Sequence, residues 1–275
     1  MIYLLLTLIL TLHLNANPEK FAISHVEGKG LGYSGGYTSF DLFLSQPLCS
    51  WTFIPFADLR GHLFNTGKCA SNVGIGIRYL QESRETIWGI NSFYDTLETG
   101  HRDYHQISMG LEVLTEDLGL HINAYFPISC PKISFSEGKE MKKKRIQFAM
   151  KGIDATLDYR CFNQQTFNVY VGLGPYFYWG KSAARNHYFN KAYGGKLNFG
   201  ADIKDYACLD VKLTYDTAYK WGGQVLLSFE FSFDGTLNLC EESRCSDYLE
   251  EKLYQFVYRN EIITRKTKHK FKKKY

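Results

Sequence analysis

Proline is scarce in this chain of 275 residues, with only 6, and no segment after the first 16 residues comes near the run of apolar residues that a membrane-crossing helix requires. The mean hydropathy is slightly negative. A helical membrane bundle is thereby excluded. A β-barrel is not, because only every second residue of its strands has to be apolar. Metal-ligand patterning is also lacking: of the 8 His, no pair has ligand spacing within one element, and His101 and His105 fall well apart on one side of a strand. Gly74-Ile75-Gly76 is followed by Tyr79 where a nucleotide loop needs its third glycine, and no helix follows. No nucleophile elbow is present. A net charge of +4, gathered at the C-terminal end, gives no nucleic-acid footprint. No cofactor, metal or catalytic constellation is expected, and the chain reads as a non-enzyme.

What is present is aromatic and glycine-rich: 20 Tyr, 20 Phe and 24 Gly favour strands joined by tight turns. Residues 1–16, apolar from Tyr3 to Leu14 and followed by Asn15-Ala16-Asn17-Pro18, are too short to span a bilayer and read as a signal peptide cleaved after Ala16. The odd number of Cys, 7, in an exported chain permits disulfides without fixing their connectivity. Cys240 and Cys245 are the nearest local pair and form the candidate disulfide.

From about residue 70 onward the chain alternates with period two. Ile107, Met109, Leu111 and Val113 oppose Ser108, Gly110 and Glu112; Leu209, Val211, Leu213 and Tyr215 oppose Asp210, Lys212, Thr214 and Asp216. A soluble sandwich hides the apolar phase, whereas a membrane barrel turns it outward and lines a watery interior with the polar phase. Strand length favours the membrane, since most runs reach 9 to 13 residues, and a tilted spanning strand needs about 9–11. Trp51, Trp88, Trp179 and Trp221 lie near run ends, where an interfacial girdle wants them.

The expected fold is all-β: a transmembrane, antiparallel, up-and-down barrel of twelve strands over residues 22–233. The even count closes the sheet and leaves no edge. Connections alternate between short turns, such as Glu116-Asp117 and Lys204-Asp205, and longer loops, especially 129–146 and 181–191. Such barrels keep the short turns on the periplasmic side. Residues 234–263 are expected to form a linker with a helix over 247–258, capped by Asp247, with Leu249, Leu253, Phe256 and Val257 on its apolar side. Residues 264–275, with seven basic residues in the last eleven, read as a disordered basic tail.

Phe56-Ala57-Asp58-Leu59-Arg60-Gly61-His62, then Asn72-Val73-Gly74-Ile75-Gly76-Ile77-Arg78-Tyr79 and Trp88-Gly89-Ile90-Asn91-Ser92-Phe93-Tyr94-Asp95, together resemble the β-domain of inverse autotransporters, the intimin and invasin group. Gly110-Leu111-Glu112, Ile122-Asn123-Ala124-Tyr125 and Lys151-Gly152-Ile153-Asp154 continue the likeness, and Tyr258-Arg259-Asn260-Glu261-Ile262-Ile263 resembles the linker that ends the translocator. The succession, over roughly residues 28–263, carries the likeness more than any one motif. It implies a Gram-negative outer-membrane barrel that anchors a C-terminal passenger, with Arg259, Asn260 and Glu261 in a linker threaded through the pore. The implied partners are outer-membrane lipid, the barrel-assembly machinery, periplasmic chaperones and a surface ligand at the extracellular loops. Here only a short basic segment follows Ile263, so adhesion through a passenger is unsupported.

The inward phase places Arg78, Glu112, Asp154, Asp158, Asp210, Lys212 and Glu230 along the pore. A charge facing lipid costs about 2–4 kcal/mol at the midplane, so a polar lumen is expected of any such barrel. Acidic walls at Asp154 and Asp158 are expected to attract Arg259 or the basic tail. A stand-alone channel or structural envelope protein is the alternative reading.

Overall fold

The computed structural model describes residues 18–45, 52–81, 83, 85–100, 103–130, 132–137, 141–164, 167–181, 188–203, 206–232 and 247–273. The expected signal peptide and the pair Cys240 and Cys245 lie outside the described residues. In chain order the strands are β1 (Pro18–Gly30), a two-residue β2 (Tyr33–Ser34), β3 (Tyr37–Ser45), β4 (Phe53–Phe64), β5 (Cys69–Gln81), β6 (Thr86–Glu98), β7 (Asp103–Leu114) and β8 (Leu118–Pro127). Then come β9 (Lys132–Glu137), β10 (Met141–Ala149), β11 (Lys151–Gln164), β12 (Phe167–Lys181), β13 (Tyr188–Ile203), β14 (Ala207–Asp216) and β15 (Lys220–Ser232). A helix, α1 (Asp247–Leu253), and a last strand, β16 (Arg265–Lys273), complete the chain.

Twelve of these strands form one closed antiparallel barrel, each bonded to the next, with β8 pairing directly to β11 and β15 returning to β1. The closing seam runs from Lys20↔Ser232 to Lys29↔Gly223. The period-two pattern explains both closure and sense. Met109 and Leu111 are 58 % and 56 % exposed, while Ser108 and Glu112, which flank them, are each 2 % exposed. Apolar residues therefore face outward and polar ones inward, the inverse of a soluble sandwich. The same inversion holds on β15, where Val225, Leu227, Phe229 and Phe231 are exposed and Ser228 is buried. An outer wall of this kind is stable only against hydrocarbon.

Several boundaries differ from the sequence expectation. β1 starts at Pro18, four residues earlier than expected, because its pairing with β3 begins at Pro18↔Leu44 and with β15 at Lys20↔Ser232. Residues 129–146 are more than a loop: β9 and β10 pair as a hairpin. Residues 265–273, expected to be disordered, form β16, which pairs with β10 from Ala149↔Arg265 to Met141↔Lys273 and makes a second, three-stranded sheet. The expected helix over 247–258 stops at Leu253.

The lumen is filled by the chain that follows β15. Leu249, Leu253, Tyr254 and Val257 pack with Phe43, Ile54, Phe56, Ile87, Phe93 and Leu114 of the wall. Nearer the opposite rim, Ile262 and Ile263 join Val26, Tyr37, Phe64, Leu97 and Tyr104. Each such aliphatic burial is worth about 1.5–3 kcal/mol. The outward sense of the wall gives a direct test. Leu111→Arg should lower the heat-modifiable, folded fraction on cold detergent gels, by an amount matching about 2–4 kcal/mol. An unchanged folded fraction would show that Leu111 does not meet lipid.

Candidate functional site

The site is the threaded lumen. Helix α1 sits at the short-turn end, where the Lys252 ammonium donates to the carbonyls of Thr115 (2.7 Å) and Glu116 (3.1 Å) in the β7–β8 turn. The chain then runs extended through the barrel. At the far rim the Met150 amide donates to Thr264 O at 2.8 Å and the Tyr219 hydroxyl to Arg265 O at 3.0 Å. Gly32, at φ +83°, lies so close to this exit that an added Cβ would stand 2.6 Å from Arg265 N.

One set of wall side chains grips the backbone of the threaded segment. Arg78 is 1 % exposed, donates to the carbonyls of Leu253 (2.7 Å) and Gln255 (2.8 Å), and is held by Glu112 at 2.7 Å. The Arg78 guanidinium also lies over the Phe56 ring, 4.9 Å from its centroid. Asp58 and Arg60 act as a pair. The Val257 amide donates to Asp58 Oδ2 at 3.0 Å, Arg60 donates to Val257 O at 2.7 Å, and the two side chains bond each other at 2.6 and 2.8 Å. Asn72 donates to Glu261 O at 2.9 Å and Asn123 to Tyr258 O at 3.2 Å. These bonds explain why α1 ends at Leu253: the carbonyls of Leu253, Gln255 and Val257 turn toward wall guanidinium groups instead of a following helical turn.

A second set reads side chains. Arg259 and Asp95 form a bidentate pair at 2.9 and 2.6 Å, with Arg259 and Asp95 at 6 % and 0 % exposure, and the guanidinium lies 4.1 Å from the Phe93 ring centroid. Glu261 pairs with Arg60. Tyr258 accepts from Asn198 at its hydroxyl, and its ring lies near the ammonium groups of Lys196 (5.4 Å) and Lys212 (6.0 Å). The Asn260 amide N–H donates to the Tyr125 hydroxyl at 2.8 Å, and its side chain donates to Ile262 O and to Thr264 Oγ1.

The residues named from sequence divide by what they touch. Arg78 and Glu112 meet in one ion pair, and Lys212 flanks Tyr258. Asp154 bonds Lys196 at 2.9 Å, Asp158 lies 3.5 Å from His121, Asp210 pairs with the Tyr170 hydroxyl and Cys208, and Glu230 stands 3.5 Å from Lys20. The expected attraction of Arg259 to Asp154 and Asp158 is not found: Asp95 takes Arg259, and Lys196 takes Asp154. Asp58, Arg60, Asn72, Asp95 and Asn123 were not singled out as lumen residues. Their signal was their place in the inward phase, Asp58 and Arg60 two apart on β4 and Asn91, Phe93 and Asp95 in step on β6.

Beside the threaded segment a crevice of about 360 Å³ is lined in part by Asn168, Tyr170, Asp202, Cys208 and Asp210. Among the described residues no three His, Cys, Asp or Glu are placed to share a metal ion.

The Arg259–Asp95 pair is the strongest side-chain tie. Asp95→Ala leaves a buried guanidinium without its partner, a loss of about 3–5 kcal/mol. It should speed proteolysis of residues 254–264 in folded barrels, while Asp154→Asn, which removes a partner of Lys196, should leave it nearly unchanged. Equal protection in both variants would refute this assignment.

Residues 56–188 match the family model described as inverse autotransporter, beta-domain. Among solved structures, a chain determined in work on the in-meso crystallization of membrane proteins has the same fold at TM-score 0.63 and 16% identity, covering 90% of this chain and 100% of that one. An outer membrane channel from Pseudomonas putida F1 gives TM-score 0.48 at 12% identity, over 78% of this chain and 96% of that chain. The beta domain of the Bordetella autotransporter BrkA gives 0.40 at 10% identity, over 78% and 99%. With its apolar outer wall, twelve strands and threaded lumen, this protein is a bacterial outer-membrane β-barrel, and nearly half of its chain is similar to the inverse autotransporter β-domain.

Proposed function

We propose that the barrel anchors its own C-terminal segment and carries it across the outer membrane, holding residues 254–264 in the lumen as the stalled end of that passage. The observation that supports this most is the run of bonds from Arg78, Arg60, Asp58, Asn72 and Asn123 to backbone groups of the threaded segment. Bonds to backbone do not depend on which residue is passing. A wall built of them suits a conduit through which successive residues slide before Arg259, Asn260 and Glu261 settle into side-chain contacts.

In this reading residues 1–16 are a signal peptide, 22–233 the barrel with β1 extending it to Pro18, 234–263 the linker, and 264–275 the delivered tail. Short turns lie on the periplasmic side and β16 on the exterior. Barrel-assembly machinery and periplasmic chaperones serve insertion, outer-membrane lipid is the solvent of the wall, and the long loops are where a surface ligand would meet the protein. In this reading the pairs Arg78–Glu112, Lys196–Asp154 and Arg259–Asp95 serve to brace the wall and hold the linker.

Planar bilayer recordings test the plug. The full chain should be nearly closed, and deletion of residues 235–275 should open a stable conductance. A full chain that conducts as freely as the deletion would favour a stand-alone channel. An epitope placed after Tyr275 should be labelled in intact cells; labelling only after permeabilization would overturn the delivery of the tail.

A further inference from the structure

The inward faces of β12, β13 and β14 form three rungs beside the threaded segment. Cross-strand pairing sets Asn168, Asp202 and Cys208 in the first, Tyr170, Gly200 and Asp210 in the second, and Gly172, Asn198 and Lys212 in the third. The crevice of about 360 Å³ lies against them. Its lining starts at the short-turn rim with Ile203 and Tyr206, both exposed, and runs inward to Asn198, which donates to the Tyr258 hydroxyl. Gly200 leaves the second rung without a side chain, and the Tyr170 ring takes that place: a Cβ on Gly200 would stand 1.9 Å from the ring. An aromatic surface is thereby held between the first rung and the third.

This wall carries more acceptors than its own donors satisfy. Asp210 accepts from the Tyr170 hydroxyl and from the Cys208 thiol at 3.3 Å, both neutral donors. Among the described residues neither Asp202 nor Asp210 forms an ion pair. The nearby cations are turned elsewhere: Lys20 to Glu230 and Glu251, Lys252 to the carbonyls of Thr115 and Glu116, Lys212 to the Tyr258 ring. Two amide oxygens are also unused. Asn168 Oδ1 and Asn198 Oδ1 accept no hydrogen bond from the described residues, although Asn168 and Asn198 are 3 % and 4 % exposed and line the crevice. A buried acceptor without a donor is costly. Carboxylates, amide oxygens and a ring face together call for a ligand that brings positive charge and N–H donors alone, which is an ammonium group. Asp202 and Asp210 are diagonal neighbours on paired strands, about 7–8 Å apart, so two ammonium groups on one short chain can meet one each. A metal ion suits the wall less, since among the described residues no three His, Cys, Asp or Glu are placed to share one. We propose that this crevice binds a short linear alkyl diamine, with its ammonium groups on Asp202 and Asp210, Asn168 Oδ1 accepting from the outer one and the Tyr170 ring beneath the chain. Delivery of the tail is not assumed: the inference rests on the β12–β14 wall.

The test is calorimetric titration of the full chain in neutral detergent micelles with 1,4-diaminobutane, in about 0.15 M salt to screen non-specific attraction. A single saturable site per barrel is expected. Butylamine, which keeps the chain and one ammonium, should bind at least about tenfold more weakly. Asp202→Asn and Asp210→Asn should each lose at least about tenfold, and Asn168→Leu about fivefold. Glu98→Gln, at the opposite rim, should stay within about twofold of the parent. Heat-modifiable mobility on cold detergent gels reports the folding of each variant. Should the carboxylate variants not fold, the comparison of diamine with butylamine on the parent chain decides the matter. Absence of saturable binding, equal affinity for the diamine and butylamine, displacement of the diamine by calcium at equal concentration, or equal losses in Asp202→Asn and Glu98→Gln would each overturn the proposal.

Discussion

The interior of this barrel has polar groups that its own wall cannot satisfy, and that constraint organises the rest. Turning the apolar phase of every strand toward hydrocarbon forces Asp58, Arg60, Asn72, Arg78, Asp95 and Asn123 inward, all of them buried. A buried charge without hydrogen-bonding partners is costly. Some of the need is met within the wall, as where Glu112 holds Arg78 and Lys196 holds Asp154. The remainder is met by the threaded segment. The carbonyls of Leu253, Gln255, Val257, Tyr258 and Glu261, and the charges of Arg259 and Glu261, lie where those groups point. Wall and linker thus each complete the other's bonding.

The contacts are graded along the lumen. Near the short-turn end the grip is apolar, through Leu249, Leu253 and Val257, joined by Arg78 on backbone oxygens. Midway, the Arg259–Asp95 fork and the Glu261–Arg60 pair fix register, since neither tolerates a shift of one residue. At the far rim, Ile262 and Ile263 return to apolar packing before the chain pairs with β10. Affinity is spread over the whole path, and register is set in its middle third.

The barrel was legible in the sequence because a two-residue period is a local property: Met109, Ser108, Leu111 and Glu112 declare their sides without reference to any other strand. The same logic placed Arg78, Glu112 and Asp154 inward. It could not choose partners, because facing strands six or eight apart in sequence order meet only through closure and threading. Hence Arg259 was expected at Asp154 and found at Asp95, which lies 164 residues away in sequence. The early end of α1 was hidden for a related reason. Its residues have helical periodicity, yet its next carbonyls are claimed by Arg78 and Arg60 from remote strands. The pairing of β16 escaped because its composition resembles a solvated end, and only the β10 edge gives it a template.

Gly32 and β16 together have a mechanical consequence. The chain leaves the lumen through a gap with no room for a side chain at position 32, then broadens at once into a strand bonded sideways to the β9–β10 hairpin. β16 is a crossbar beyond a narrow eyelet: drawing the threaded segment back into the lumen would require its nine residues to part from β10 first.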